Sequence, residues 1–161
     1  MFEVAVIEAG DKPAFYGELC RQLDALLHGE RDPIANAANT AALLFQAMPD
    51  LNWAGFYFLK DGELVLGPFQ GKPACVRIAV GQGVCGTAVA RRQTMLVEDV
   101  HAFPGHIACD AASRSELVVP LMHDGAVTGV IDLDSPTPAR FDADDRDGIE
   151  QVAKIYALSI A

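Results

Sequence analysis

Two dipeptides, Asp61-Gly62 and Asp124-Gly125, each stand between apolar runs, and they constrain the fold more than any other feature of the chain. A two-residue Asp-Gly loop favours the turn whose twist matches that of paired strands, so each dipeptide predicts an antiparallel hairpin. Residues 53–59 and 63–69 read as the strands of the first hairpin, 75–80 as a third strand, 94–97 as a fourth, and 116–122 with 126–134 as the last hairpin. Most of the sheet is therefore antiparallel, and parallel doubly wound architectures are disfavoured.

Helical signals surround these strands. Leu19, Leu23, Leu26 and Leu27 recur at helical spacing and predict a helix over 13–27. Asp32 followed by Pro33 is an N-cap and first-turn proline that opens a second helix to about residue 48. A short helix fits 84–92, and Asp142 caps a last one running toward Ala161. The order ααβββαβββα predicts an α+β fold: a central antiparallel sheet of about six strands with helices packed mainly on one face. At 161 residues, the whole of 1–161 is expected to be one domain.

The stretch Gly81-Gln82-Gly83-Val84-Cys85-Gly86 satisfies G-x-G-x-x-G, with Glu98 and Asp99 near the distance at which a dinucleotide fingerprint needs an acid. That fingerprint requires parallel βαβ units, which the hairpins argue against. Glycines that turn a strand sharply into a helix explain it better, and no bound cofactor is expected.

A net charge of −10 and a pI near 4.6 disfavour nucleic acid and anionic membranes as partners, since both are held chiefly by Lys and Arg. The first ten residues lack the basic start and apolar stretch of a secretory signal, so the cytoplasm is the expected compartment. Cysteines there are catalytic, metal-binding or buried. Cys20 shares a helical stripe with Leu23 and Leu27 and reads as core. Cys75, Cys85 and Cys109 fall instead at a strand start, a glycine turn and a long aperiodic loop over 98–115. With His106 they make a Cys₃His set, but zinc ligands usually come in close pairs and these cysteines are 10 and 24 residues apart. No metal is expected. A nucleophile with resolving partners explains three thiols better.

Asp132 and Asp134 alternate with Ile131 and Leu133, so both carboxylates project from one face of a strand. A solvated face gives that pattern too. With Glu116 on the partner strand, they also suit a site where like charges raise each other's pKa and a proton can be held. Trp53 and Tyr57 share one face of the first strand, as core filling or as an aromatic wall.

Read together, 52–57 (NWAGFY), 67–75 (GPFQGKPAC), 83–86 (GVCG), 104–110 (PGHIACD), Ser115-Glu116 and 129–135 (GVIDLDS) closely resemble the free methionine-(R)-sulfoxide reductases, a family of single GAF domains. The resemblance spans nearly the whole chain. It implies thiol-dependent reduction of free L-methionine-(R)-S-oxide to L-methionine. Cys109 would attack the sulfoxide sulfur and become a sulfenic acid, and Cys75 or Cys85 would condense with it to a disulfide. A thioredoxin-like donor would then reduce that disulfide. Glu116 and Asp134 are the candidate proton donors. Asp132 and Asp99 are candidates for the substrate ammonium, Trp53 and Tyr57 for its methyl group, and backbone N–H groups for its carboxylate. The family suggests a homodimer. The alternative is a GAF module that senses a small ligand without turning it over.

Overall fold

Asp11 and Asp32 begin the first two helices in the same way, each side chain accepting from backbone N–H groups of the first turn. The helices are α1 (Lys12–Leu27) and α2 (Pro33–Ala47). Strands β1 (Trp53–Lys60), β2 (Glu63–Gly71) and β3 (Arg77–Ala79) follow, then α3 (Gly83–Arg91), β4 (Met95–Val97), a 3₁₀ turn at Val100–Ala102, β5 (Ser115–His123), β6 (Ala126–Ser135) and α4 (Ala143–Ser159). This computed structural model describes residues 2–107 and 109–161.

The six strands form one antiparallel sheet in the order β3-β2-β1-β6-β5-β4. Both Asp-Gly turns have positive φ at both residues: 51° and 83° at Asp61-Gly62, 47° and 76° at Asp124-Gly125. That is the conformation expected of a two-residue hairpin. It sets the register of β5 and β6 as far as Met122 opposite Val127, and an irregularity between Leu121 and Met122 then shifts it by one residue, so that Glu116 stands opposite Asp134. Predicted and observed elements agree to within two residues; the third strand begins two residues late, at Arg77, which leaves Cys75 in the loop before it.

Two cores share the sheet, one on each face. On one face α1, α2 and α4 pack Leu19, Leu23, Leu44, Val152 and Tyr156 against Phe56, Leu117, Val119, Ile131 and Leu133. On the other face α3 and the long loops cover Trp53, Tyr57, Val118 and Val130 with Ile78, Val84, Val89 and Val100. Strands covered on both sides are buried throughout, as β5 is from Ser115 to Leu121. Cys20 is half-buried and packs against the three-helix core, in keeping with its reading from the helical stripe. No helix among the described residues is long and apolar enough to cross a membrane.

Candidate active site

The face covered by α3 holds a cavity, and the pairing of the strands decides what lines it. Trp53 on β1 stands opposite Asp134 on β6, which stands opposite Glu116 on β5. Two residue pairs further along, Gly55 faces Asp132. Period-two alternation sends Asp132, Asp134 and Glu116 to this face and their neighbours Ile131, Leu133 and Leu117 into the helix-covered core. All three carboxylates line the cavity, together with Trp53, Tyr57, Cys85 and Cys109. The alternation of Asp132 and Asp134 is thus a buried acidic row and not a solvated face: Asp132 is 6% exposed and Glu116 5%.

Gly55 clears space for the aromatic wall. A Cβ there would lie 2.4 Å from Phe69 Cβ and 2.7 Å from the Trp53 ring, which stacks between Phe69 and Tyr57 at centroid distances of 5.2 and 5.9 Å. The wall also fastens a loop. Trp53 Nε1 donates to the carbonyl of Lys72 at 3.1 Å, and Tyr57 Oη to the carbonyl of Cys75 at 2.9 Å.

The glycine-rich stretch is the expected sharp turn from β3 into α3. Gly81 and Gly83 have φ of 86° and 61°, and a Cβ on Gly86 would lie 2.3 Å from the Ala79 carbonyl oxygen. Gly86 instead accepts at its carbonyl from the Gly81 N–H at 2.8 Å. This turn places Cys85 at the start of α3, buried, with its thiol donating toward Glu116 Oε1 at 3.9 Å.

Cys75 and Cys109 are joined as a disulfide, with Cα atoms 5.9 Å apart, while Cys85 is free. Cys75 and Cys109 belong to two loops that also meet through an ion pair, Lys72 Nζ to Asp110 Oδ1 at 3.6 Å. Asn52 Nδ2 donates to Asp110 Oδ2 at 3.2 Å and to Ser113 Oγ at 3.0 Å, anchoring the second loop to the start of β1. Asp110 is held below the usual carboxylate range by the Ala112 N–H, with Asn52 and Lys72 adding to it.

Burial and mutual repulsion push the acidic row the other way. Loss of solvent raises Glu116 well above its ordinary value, and the charges of Asp132 and Asp134 raise it further. Asp134 is raised well above the ordinary range for the same reasons, and burial raises Asp132 to about 6. Burial, then Asp132 and Glu116, push the Cys85 thiol up as well. Asp132 Oδ1 is buried without a hydrogen-bond partner. One oxygen each from Glu116 and Asp132 and the Cys85 sulfur lie within 4.8 Å of one another, a set able to hold a compact cation.

Asp99 is the predicted binding residue that the fold takes elsewhere. Its side chain accepts from His101 N at 3.0 Å and caps the 3₁₀ turn, and it does not line the cavity. Lys72, Asp110, Ser113 and Ile107 line the cavity without having been singled out, since nothing local in the sequence marks a loop residue as facing a distant strand.

The GAF domain family matches residues 35–161 of the chain. The free methionine-R-sulfoxide reductase of Escherichia coli (strain K12) is 56% identical over 142 residues, covering 88% of this chain and 86% of the relative. The enzyme of the same name from Saccharomyces cerevisiae is 41% identical over 157 residues, 92% of this chain and 87% of the relative. The X-ray structure of free methionine-R-sulfoxide reductase from Neisseria meningitidis in complex with its substrate is similar at a TM-score of 0.95. Its sequence is 46% identical, and the match covers 99% of this chain and 96% of that one.

Proposed function

The chain belongs to the free methionine-(R)-sulfoxide reductases, of the GAF domain family, and from that premise we propose that it reduces free L-methionine-(R)-S-oxide to L-methionine with its own thiols. One observation carries the reading: the Cys75–Cys109 pair, an aromatic wall and three buried carboxyl groups converge on a single cavity.

Cys109, exposed at the cavity mouth, is the attacking thiol. Its thiolate attacks the sulfoxide sulfur, the oxygen passes to the Cys109 sulfur as the transient bond between the two sulfurs breaks, and methionine departs, leaving Cys109 as a sulfenic acid. Cys75 then displaces that oxygen as water and forms the disulfide. The observed pairing favours Cys75 over the buried Cys85 as the resolving thiol. Thioredoxin returns both to thiols by disulfide exchange.

Sulfoxide is a poor electrophile until its oxygen is protonated, and Glu116 and Asp134 are carboxyl groups whose burial favours the protonated form. Asp132, with an unpartnered buried oxygen, meets the substrate ammonium. Trp53 and Tyr57 enclose the methyl group, and backbone N–H groups of the glycine turn or of the loop before Cys109 hold the carboxylate. Thioredoxin is the external reductant, no bound cofactor is needed, and the working form is a cytoplasmic homodimer.

Supplying the (R)-sulfoxide with thioredoxin, thioredoxin reductase and NADPH tests this. Substrate-dependent oxidation of NADPH is expected; none by the intact protein would identify a GAF module that binds without turnover.

A further inference from the structure

The proposed first step moves one oxygen atom and no net proton. The substrate S–O bond breaks and a Cys109 S–O bond forms; Cys109 sulfur loses two electrons and the substrate sulfur gains them. The proton that leaves the Cys109 thiol must therefore reach the transferred oxygen. Glu116 can deliver a proton there, but it is buried and each delivery has to be made good.

His106 shares a loop with Cys109 and approaches Glu116. It sits three residues before Cys109 on the same loop, lines the same cavity, and holds Nε2 at 3.8 Å from Glu116 Oε2. Its side chain is 13% exposed against 7% for Glu116, so it stands on the solvent side of the acid. Catalytic contacts are commonly loose without substrate, and a side-chain movement of under about 1 Å brings this pair to hydrogen-bond distance.

Resting on the reductase reading above, we propose that His106 is a proton-relay residue that accepts the Cys109 thiol proton and returns it to Glu116 as Glu116 protonates the sulfoxide oxygen. Burial, aided by nearby His101, holds the imidazole below its ordinary value, so at pH 7 it is neutral and able to accept. The charged or titratable groups around it are His101 and Glu116, with Lys72, Asp110, Asp132, Asp134, Tyr57 and Cys85 also lining the cavity. The relay fits a cavity in which burial raises all three carboxyl groups and the charge of Asp132 raises Glu116 and Asp134 further, so that a missing proton on Glu116 is costly.

The test compares reduced wild-type protein with His106→Gln and His106→Ala in a single turnover, measuring methionine released. Substrate binding is read separately from the fluorescence of Trp53, the sole tryptophan. Release is expected to fall at least about tenfold in both variants with binding unchanged, since positioned acid–base groups contribute roughly 10²–10⁴-fold. Added imidazole should restore part of the rate in His106→Ala, and the acid limb of the wild-type pH profile that reports the imidazole should disappear. Undiminished release, a defect confined to binding, or an acid limb that survives in the variants overturns the relay. No release by the wild-type protein overturns the reductase reading itself, a result separate from these.

Discussion

Asp132 couples chemistry to stability through its burial. An acid whose folded pKa lies above its unfolded value contributes stability that is complete below the unfolded value and is lost as pH rises through the folded one. For Asp132 that window runs from about 4, the ordinary value, to about 6. The difference of about two units is worth ~3 kcal/mol, or several degrees in a protein of this size. Asp132→Asn should therefore melt above the wild type at pH 8, with about half that gain at pH 5 and little at pH 4, followed by circular dichroism, while losing affinity for the substrate. Asp142, held at about 2 chiefly by Lys12, has the opposite sign, its contribution persisting above pH 4. For the thiols, Cys109→Ser should release no methionine in a single turnover, whereas Cys75→Ser should release one equivalent and stop; equal release from both would misassign the nucleophile. Strand alternation put Asp132 and Asp134 on one face, and spacing put three cysteines without close partners at a strand start, a glycine turn and a loop, local patterns that the shared cavity agrees with. The roles given to these residues came from the family resemblance. The place of Asp99 was not legible, because a carboxylate beside a strand end and one that caps a turn look alike in sequence.

Elements meet at points that the periodicity of either one leaves unmarked. Gly148 lies within α4, and replacing a helical glycine by alanine ordinarily stabilises by about 0.5–1 kcal/mol. Here an added Cβ would lie 2.1 Å from Tyr16 Cγ on α1, and Tyr16 itself is fixed by donating from Oη to Asp145 at 2.7 Å. Overpacking costs about 1–3 kcal/mol, so Gly148→Ala should lower the melting temperature by several degrees. A higher melting temperature would show that the two helices part easily. The helices and strands themselves were legible from spacing, caps and Asp-Gly turns. The contact between α1 and α4 was not, because 129 residues separate Tyr16 from Asp145 and neither sequence context names the other.

At the scale of the whole molecule, the proposed substrate is a small free amino acid. On that reading the carboxylates of the cavity would meet its ammonium, where a peptide-bound methionine sulfoxide presents an uncharged amide. Reduction of the free (R)-sulfoxide should exceed that of a peptide containing it by roughly 10²-fold or more in coupled assays; comparable rates would mean that the ammonium is not read. The division of the sheet into two cores has a further consequence. The Cys75–Cys109 disulfide and the three carboxyl groups lie on the α3 side, while the apolar core beneath α1, α2 and α4 lies across the sheet from them. Hydrogen exchange in those three helices should accordingly be the same in oxidised and reduced protein, with differences confined to the two cysteine loops and α3. Each catalytic cycle would then rearrange a surface while the protein's foundation stays still, so that a lifetime of repeated oxidation brings the chain no closer to unfolding.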